Sequence, residues 1–170
     1  MGGTCGDLVT SVIDSTNSTL DKSRIHTTMD RSKLKSGLFL KTEAEQLNYI
    51  KEMESKYLSI PSHNIDLHVK YQHSFITIVT ENYGLALWCA TRFKNLNTLN
   101  NVWTNMYGND AIPDRHADSI IQSCKYLSLH TDRIIMLEDI LSGNLLSNLS
   151  KYVKTPLNEK LYEEWLSNQH

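Results

Sequence analysis

Most of the features that would assign a chain at a glance are missing here. Three prolines and seven glycines in 170 residues are too few for a linker-rich or fibrous protein. Cysteine is scarce and badly spaced for metal or redox chemistry: Cys5, Cys89 and Cys124 are an odd number, and no C-x-x-C occurs. Seventeen basic residues stand against 19 acidic ones, a formal charge of -2, so no global positive field is available to hold a nucleic-acid backbone. The densest basic group, Arg31, Lys33 and Lys35, has no interleaved aromatics and reads as a solvated loop. No run approaches the roughly 18 apolar residues that span a bilayer, and no apolar segment follows the N-terminus. The chain is therefore expected to be cytoplasmic, and the sequons at Asn17 and Asn148 are expected to be unused.

Catalytic signatures are missing too. There is no phosphate-cradling G-x-x-x-x-G-K-[ST] and no G-x-S-x-G elbow. His63, His68 and His73 recur every five residues, which turns successive side chains about 140° apart on a helix and off any shared face. The pairs Glu138-Asp139 and Glu163-Glu164 are sequence neighbours that point in different directions on a helix. The expectation is a non-enzyme with no cofactor and no metal.

What the chain does have is helical periodicity. Residues 7–37 are rich in Ser and Thr, and residues 1–40 read as a flexible arm ahead of a helical domain over 41–170. Thr42 to Glu45 forms a capping box, followed by Leu47, Ile50, Met53 and Tyr57 at helical spacing up to Pro61. Ile65, Leu67, Val69 and Tyr71 alternate like a short strand, whereas Phe75, Ile78 and Val79 are spaced as in a helix. Residues 85–93 are nearly all apolar and predict a central helix buried on most sides. A helix from Asn97 to Tyr107 should end at Gly108.

Three further helices complete the reading. Asp114 can cap one that carries Ala117, Ile120, Ile121 and Cys124. Leu137, Leu141, Leu145 and Leu149 make a further stripe, weakened by Gly143. Thr155 and Pro156 should open a closing helix bearing Leu161, Tyr162, Trp165 and Leu166. The fold class expected is all-α, a single bundle of about seven or eight helices.

The start MGGTCG would expose Gly2 once Met1 is removed, as N-myristoylation requires, with Cys5 placed for a second acyl chain; Gly6 stands where the motif wants Ser or Thr. Gly2 and Cys5 are thus candidate lipidation sites, and the membrane surface is a candidate partner.

From Ser74 onward the order of apolar positions resembles a regulator of G-protein signalling (RGS) domain over about residues 70–166. Ser74, Phe75, Gly84 and Trp88 match its opening pattern, NTLNNVW is similar to its E-E-N-L-x-F-W, and HTDRIIMLEDIL and TPLNEKLYEEWL are similar to its later segments. The resemblance implies an all-helical module that binds the switch regions of a Gα subunit, with Asn97, Asn100, Asn101, Asp132, Arg133 and Met136 at the contacting positions. Several of these depart from the family: Asn97 and Leu99 replace Glu and Asn, and Met136 replaces the Asn that reaches the switch. The last family helix also has no counterpart before His170. Binding without GTPase activation is the expectation. ENYGLALW also resembles the N-W-G-R segment of Bcl-2-like bundles, with Leu85 in place of the arginine. That resemblance implies an amphipathic helical peptide as partner.

Overall fold

The computed structural model describes residues 5–13, 42, 44, 45, 47, 48, 51, 65–97, 107, 108 and 112–169, with the side chains of Asp7, Leu96 and Asn97 left out. Among them are seven helices and two strands, in the order α1 (Gly6–Ile13), α2 (Ile65–Lys70), β1 (Thr77–Val79), α3 (Tyr83–Asn97), α4 (Pro113–His130), β2 (Ile134–Met136), α5 (Leu137–Leu141), α6 (Leu145–Leu149) and α7 (Glu159–Ser167). The chain divides into two compact units, one of Met1–Cys5 with His63–Tyr152 and one of Gly6–Ser62 with Val153–His170.

In the first unit β1 and β2 lie parallel, Thr77 opposite Ile134 and Val79 opposite Met136. This small sheet departs from the all-α expectation, while the mostly helical character holds. Parallel strands need a long crossover, here supplied by the chain that carries α3 and α4. Thr77, Ile78, Val79, Ile134 and Ile135 are all β-branched and so favour extended backbone. Helical spacing over Phe75–Val79 was therefore misleading, and so was the alternation over Ile65–Tyr71, of which Ile65–Lys70 is helix α2. Leu67 and His68 are buried there. The His68 Nδ1 lies 3.0 Å from the Thr77 hydroxyl and its ring 4.5 Å from that of Phe75, so packing against β1 outweighs the local pattern.

Helices α3 and α4 form the main helix pair of this unit. The inner face of α3 is made of Ala86, Cys89 and Ala90, and that of α4 of Ala117, Ile120, Cys124 and Leu127. Each set has the i, i+3, i+4 recurrence of a single stripe. The apolar run 85–93 is therefore buried on one side only: Leu85, Leu87 and Trp88 are half-buried, and Trp88 carries the Arg92 guanidinium 5.3 Å from its ring. Asn82 caps α3, its Oδ1 accepting the Leu85 N–H at 3.2 Å. A side chain at Gly84 would meet that oxygen at 3.1 Å.

Asp114 does not cap α4. Ile112 is the cap residue, Pro113 opens the helix and Asp114 lies in its first turn, where a carboxylate still complements the helix dipole. Of the expected helix over Asn97–Tyr107, Asn97 ends α3, Tyr107 is helical and Gly108 has a φ of +89°; the rest lies outside the described residues. The leucine stripe 137–149 is two short helices. Gly143, at φ +93°, ends the first, and the Asn144 N–H reaches the Asp139 carbonyl at 2.9 Å, the wrapped terminus that a left-handed glycine makes.

In the second unit α1 and α7 pack together. Residues 6–13 fall in the stretch read as a flexible arm, yet they form a helix with Leu8, Val9 and Val12 buried. The Ser and Thr composition of 7–37 hid this helix of about two turns, because its apolar stripe is only three residues long. On α7, Tyr162 and Trp165 are buried. The cap is Asn158, not Thr155: its Oδ1 accepts the Leu161 N–H at 3.0 Å, while its own N–H donates to the Val12 carbonyl at 2.9 Å. The capping box at Thr42 is present, with the Thr42 N–H 2.8 Å from Glu45 Oε2 and the Glu45 N–H 3.4 Å from the Thr42 hydroxyl. Ile50, Met53 and Tyr57 lie outside the described residues.

Candidate interaction surface

The polar interior of the first unit centres on the carboxyl ends of the two strands. Thr80, just after β1, donates its hydroxyl to Glu138 Oε1 at 2.8 Å and accepts the Asn82 N–H at 3.1 Å. Glu138 Oε2 is buried without a hydrogen-bond partner. Burial pushes the Cys89 thiol far above the usual thiol range, with the Cys5 thiol adding to the rise. Burial also raises Cys124, partly offset by the Thr80 backbone N–H donated to its sulfur. Thiols held neutral in this way are poor nucleophiles and poor ligands. Among the described residues no group of three His, Cys, Asp or Glu side chains could hold a metal.

A second buried group lies on α4. His116 stacks on Phe93 at 4.9 Å between ring centres, and its Nδ1 is 2.6 Å from the Tyr107 hydroxyl. Burial raises Tyr107 above its ordinary value, opposed by Arg115. The pair ties the residue before Gly108 to the inner side of α4.

The surface is more telling than the interior. Leu129 is 82% exposed and Tyr126 45% exposed, one turn apart on α4. Leu129 sits two residues beyond the buried Leu127, about 200° around the helix. His130 stacks on Tyr126 at 4.2 Å and donates its Nδ1–H to the Tyr126 carbonyl at 2.8 Å, which fixes the aromatic pair at the helix end. Immediately after come Asp132, exposed, and Arg133, half-buried, whose carbonyl accepts the Thr77 N–H at 2.8 Å. The Thr131 hydroxyl donates to the Leu127 carbonyl at 2.9 Å and holds the turn against the helix.

Of the residues expected to contact a partner, the structure places Asp132 and Arg133 beside this exposed corner and Met136, half-buried, at the end of β2. Asn97 is the last residue of α3, and Asn100 and Asn101 lie outside the described residues. Gly2 also lies outside them. Cys5 is half-buried with a φ of +61°, directly ahead of α1. Tyr126, Leu129 and His130 were not among the contacts expected from the sequence. Projecting the stripe Ala117, Ile120, Cys124 and Leu127 onto a helix would have left Leu129 on the opposite side.

The fold and surface define a mostly helical domain with a small parallel sheet and exposed apolar residues at a helix end. The chain matches no protein-family model, no curated protein and no solved structure. Among the described residues no helix is long and apolar enough to cross a membrane.

Proposed function

We propose that the chain is a non-catalytic protein-interaction domain that engages a signalling partner of the Gα type at the carboxyl end of α4, without accelerating GTP hydrolysis. The observation that carries this is Leu129, 82% exposed on a helix whose other face is fully packed. An apolar side chain held out beside an aromatic pair suits the centre of a small interface. Asp132 and Arg133 supply a polar rim there. That they fall at positions where the RGS resemblance implies partner contacts supports the choice of partner, and Met136 in place of the expected Asn supports binding without activation.

The test is binding of the full chain to a panel of Gα subunits in the aluminium-fluoride form, with single-turnover GTP hydrolysis in parallel. Binding weakened at least about tenfold by Leu129→Asp, the scale of one interface anchor, with hydrolysis unchanged, is the expected result. No binding across the panel removes the Gα partner. The start MGGTCG supports a membrane-tethered form, and an unmodified Gly2 in the mass of the protein from eukaryotic cells removes that part.

One feature favours a second reading. Asn82 caps α3 through its side chain beside Gly84, as the Bcl-2-like resemblance implies for its central helix. Micromolar or tighter binding of amphipathic death-motif peptides is required of that alternative.

A further inference from the structure

The other end of α4 carries a different kind of surface. Helix α3 begins at Tyr83 and α4 at Pro113, and the two starts are tied by the Tyr83 hydroxyl, which donates to Asp114 Oδ1 at 3.2 Å. Tyr83 is nevertheless 43% exposed, and Ile112, the cap residue of α4, is 62% exposed. Around them stand the exposed carboxylates of Glu81 and Asp118 and the half-buried one of Asp114. Arg115, the nearby cation, is turned to another aromatic, 6.0 Å from the Tyr107 ring. Elsewhere in this unit Trp88 and Tyr71 have a cation over them as well; among the described residues Tyr83 has none.

We propose that this junction docks an arginine-bearing segment of a protein partner, the guanidinium lying over the Tyr83 ring and pairing with Asp114 and Asp118 while an apolar neighbour covers Ile112. An arginine is the occupant that uses every part of the surface. Its planar fork matches carboxylates in pairs and its face stacks on an aromatic ring. A lysine would bring its charge to the ring and the carboxylates as a point cation, without the planar fork that stacks and pairs at once, and an apolar helix would leave the carboxylates facing a dry interface. Desolvation is the main cause that lifts the Tyr83 hydroxyl above its ordinary value, and the charges of Asp114 and Asp118 raise it further. About 15 residues of helix, some 22 Å, separate this junction from Leu129, so the two surfaces take different parts of a partner or different partners. The proposal rests on the reading of the chain as a protein-binding domain but not on the Gα class.

The experiment is a titration of the isotope-labelled full chain with acetyl-Arg-Leu-Arg-amide and its Lys counterpart, followed by amide chemical shifts. Saturable shifts at Tyr83, Gly84, Asp114 and Asp118 are expected, with the Lys peptide about two- to fivefold weaker, the scale of an exposed cation–π contact. Asp118→Asn, at an exposed side chain, weakens the Arg peptide without altering the rest of the spectrum, and Tyr83→Leu removes the preference for Arg over Lys. Helix α7 is the internal control, because Glu159, Glu163 and Glu164 are exposed there while its aromatics are buried. Comparable shifts on α7, equal affinity for the two peptides, or no saturation overturns the proposal. None of these outcomes bears on the Gα assay, so failure of either reading is seen separately.

Discussion

Cys89 is fully buried on the inner face of α3, and its thiol keeps its proton well beyond the pH at which a free thiol gives it up. The sign of the consequence follows from linkage. The folded value lies above the unfolded one, so the contribution to stability is complete below the unfolded value, about 8.5. It is lost as pH rises above that, because the unfolded chain releases a proton that the folded chain retains. Cys124 shifts in the same direction. Denaturant unfolding between neutral pH and pH 9.5 should therefore show stability falling from about pH 8.5 upward. The fall should be shallower in Cys89→Ala, and an equal slope in the variant means that Cys89 ionises as freely folded as unfolded. In the native protein at pH 8, an alkylating reagent should reach Cys5 well before Cys89 or Cys124.

At the scale of elements, the two glycine and capping positions that the sequence misread offer sharp tests. Were 137–149 one helix, Gly143→Ala would stabilise the protein by up to about 1 kcal/mol. With Gly143 at φ +93° the same change forces a side chain into the left-handed region and should cost about 1–2 kcal/mol, so the sign alone decides. Likewise Asn158→Ala should cost about 1 kcal/mol through the lost cap of α7, while Thr155→Ala, at an exposed position three residues earlier, should be neutral. These cases also show what could be read in advance. Helices α3, α4 and α7 were legible because each is nine residues or longer and carries apolar residues at helical spacing, and the box at Thr42 because its bonds are local. The start of α4 moved by two positions, from Asp114 to Ile112, and that of α7 by three, from Thr155 to Asn158, because several neighbouring residues can stand at a helix start and packing chooses among them. The sheet was hidden because strands of three residues carry no period, and their pairing joins Thr77 to Ile134 across the whole helix pair. Of the candidate surface, Asp132 and Arg133 came from family likeness, whereas Tyr83, Ile112 and Leu129 were missed because exposure of an apolar residue is a property of the fold, not of its neighbours in sequence.

At the scale of the whole molecule, the second unit brings together two segments almost 150 positions apart in the chain. An eight-residue helix such as α1 does not stand alone in water; it persists because Leu8, Val9 and Val12 are buried and because the Val12 carbonyl is taken by Asn158. Tyr162 and Trp165, each 2% exposed, are the large side chains of the facing helix. Val12→Asp would place an unpaired carboxylate where the side chain is wholly buried, a change that costs several kcal/mol. The first unit has its own core in Val79, Ile120, Leu127, Ile135 and Ile140, none of which belongs to α1 or α7. In hydrogen exchange read by mass spectrometry, Val12→Asp should therefore strip protection from α1 and α7, and the tryptophan emission should shift to the red as Trp165 meets water. The peptides that cover α4 and the two strands should keep their protection. If they lose it together with α7, the two units fold as one, and the helix that follows MGGTCG is as essential to the interaction surfaces on α4 as the residues that form them.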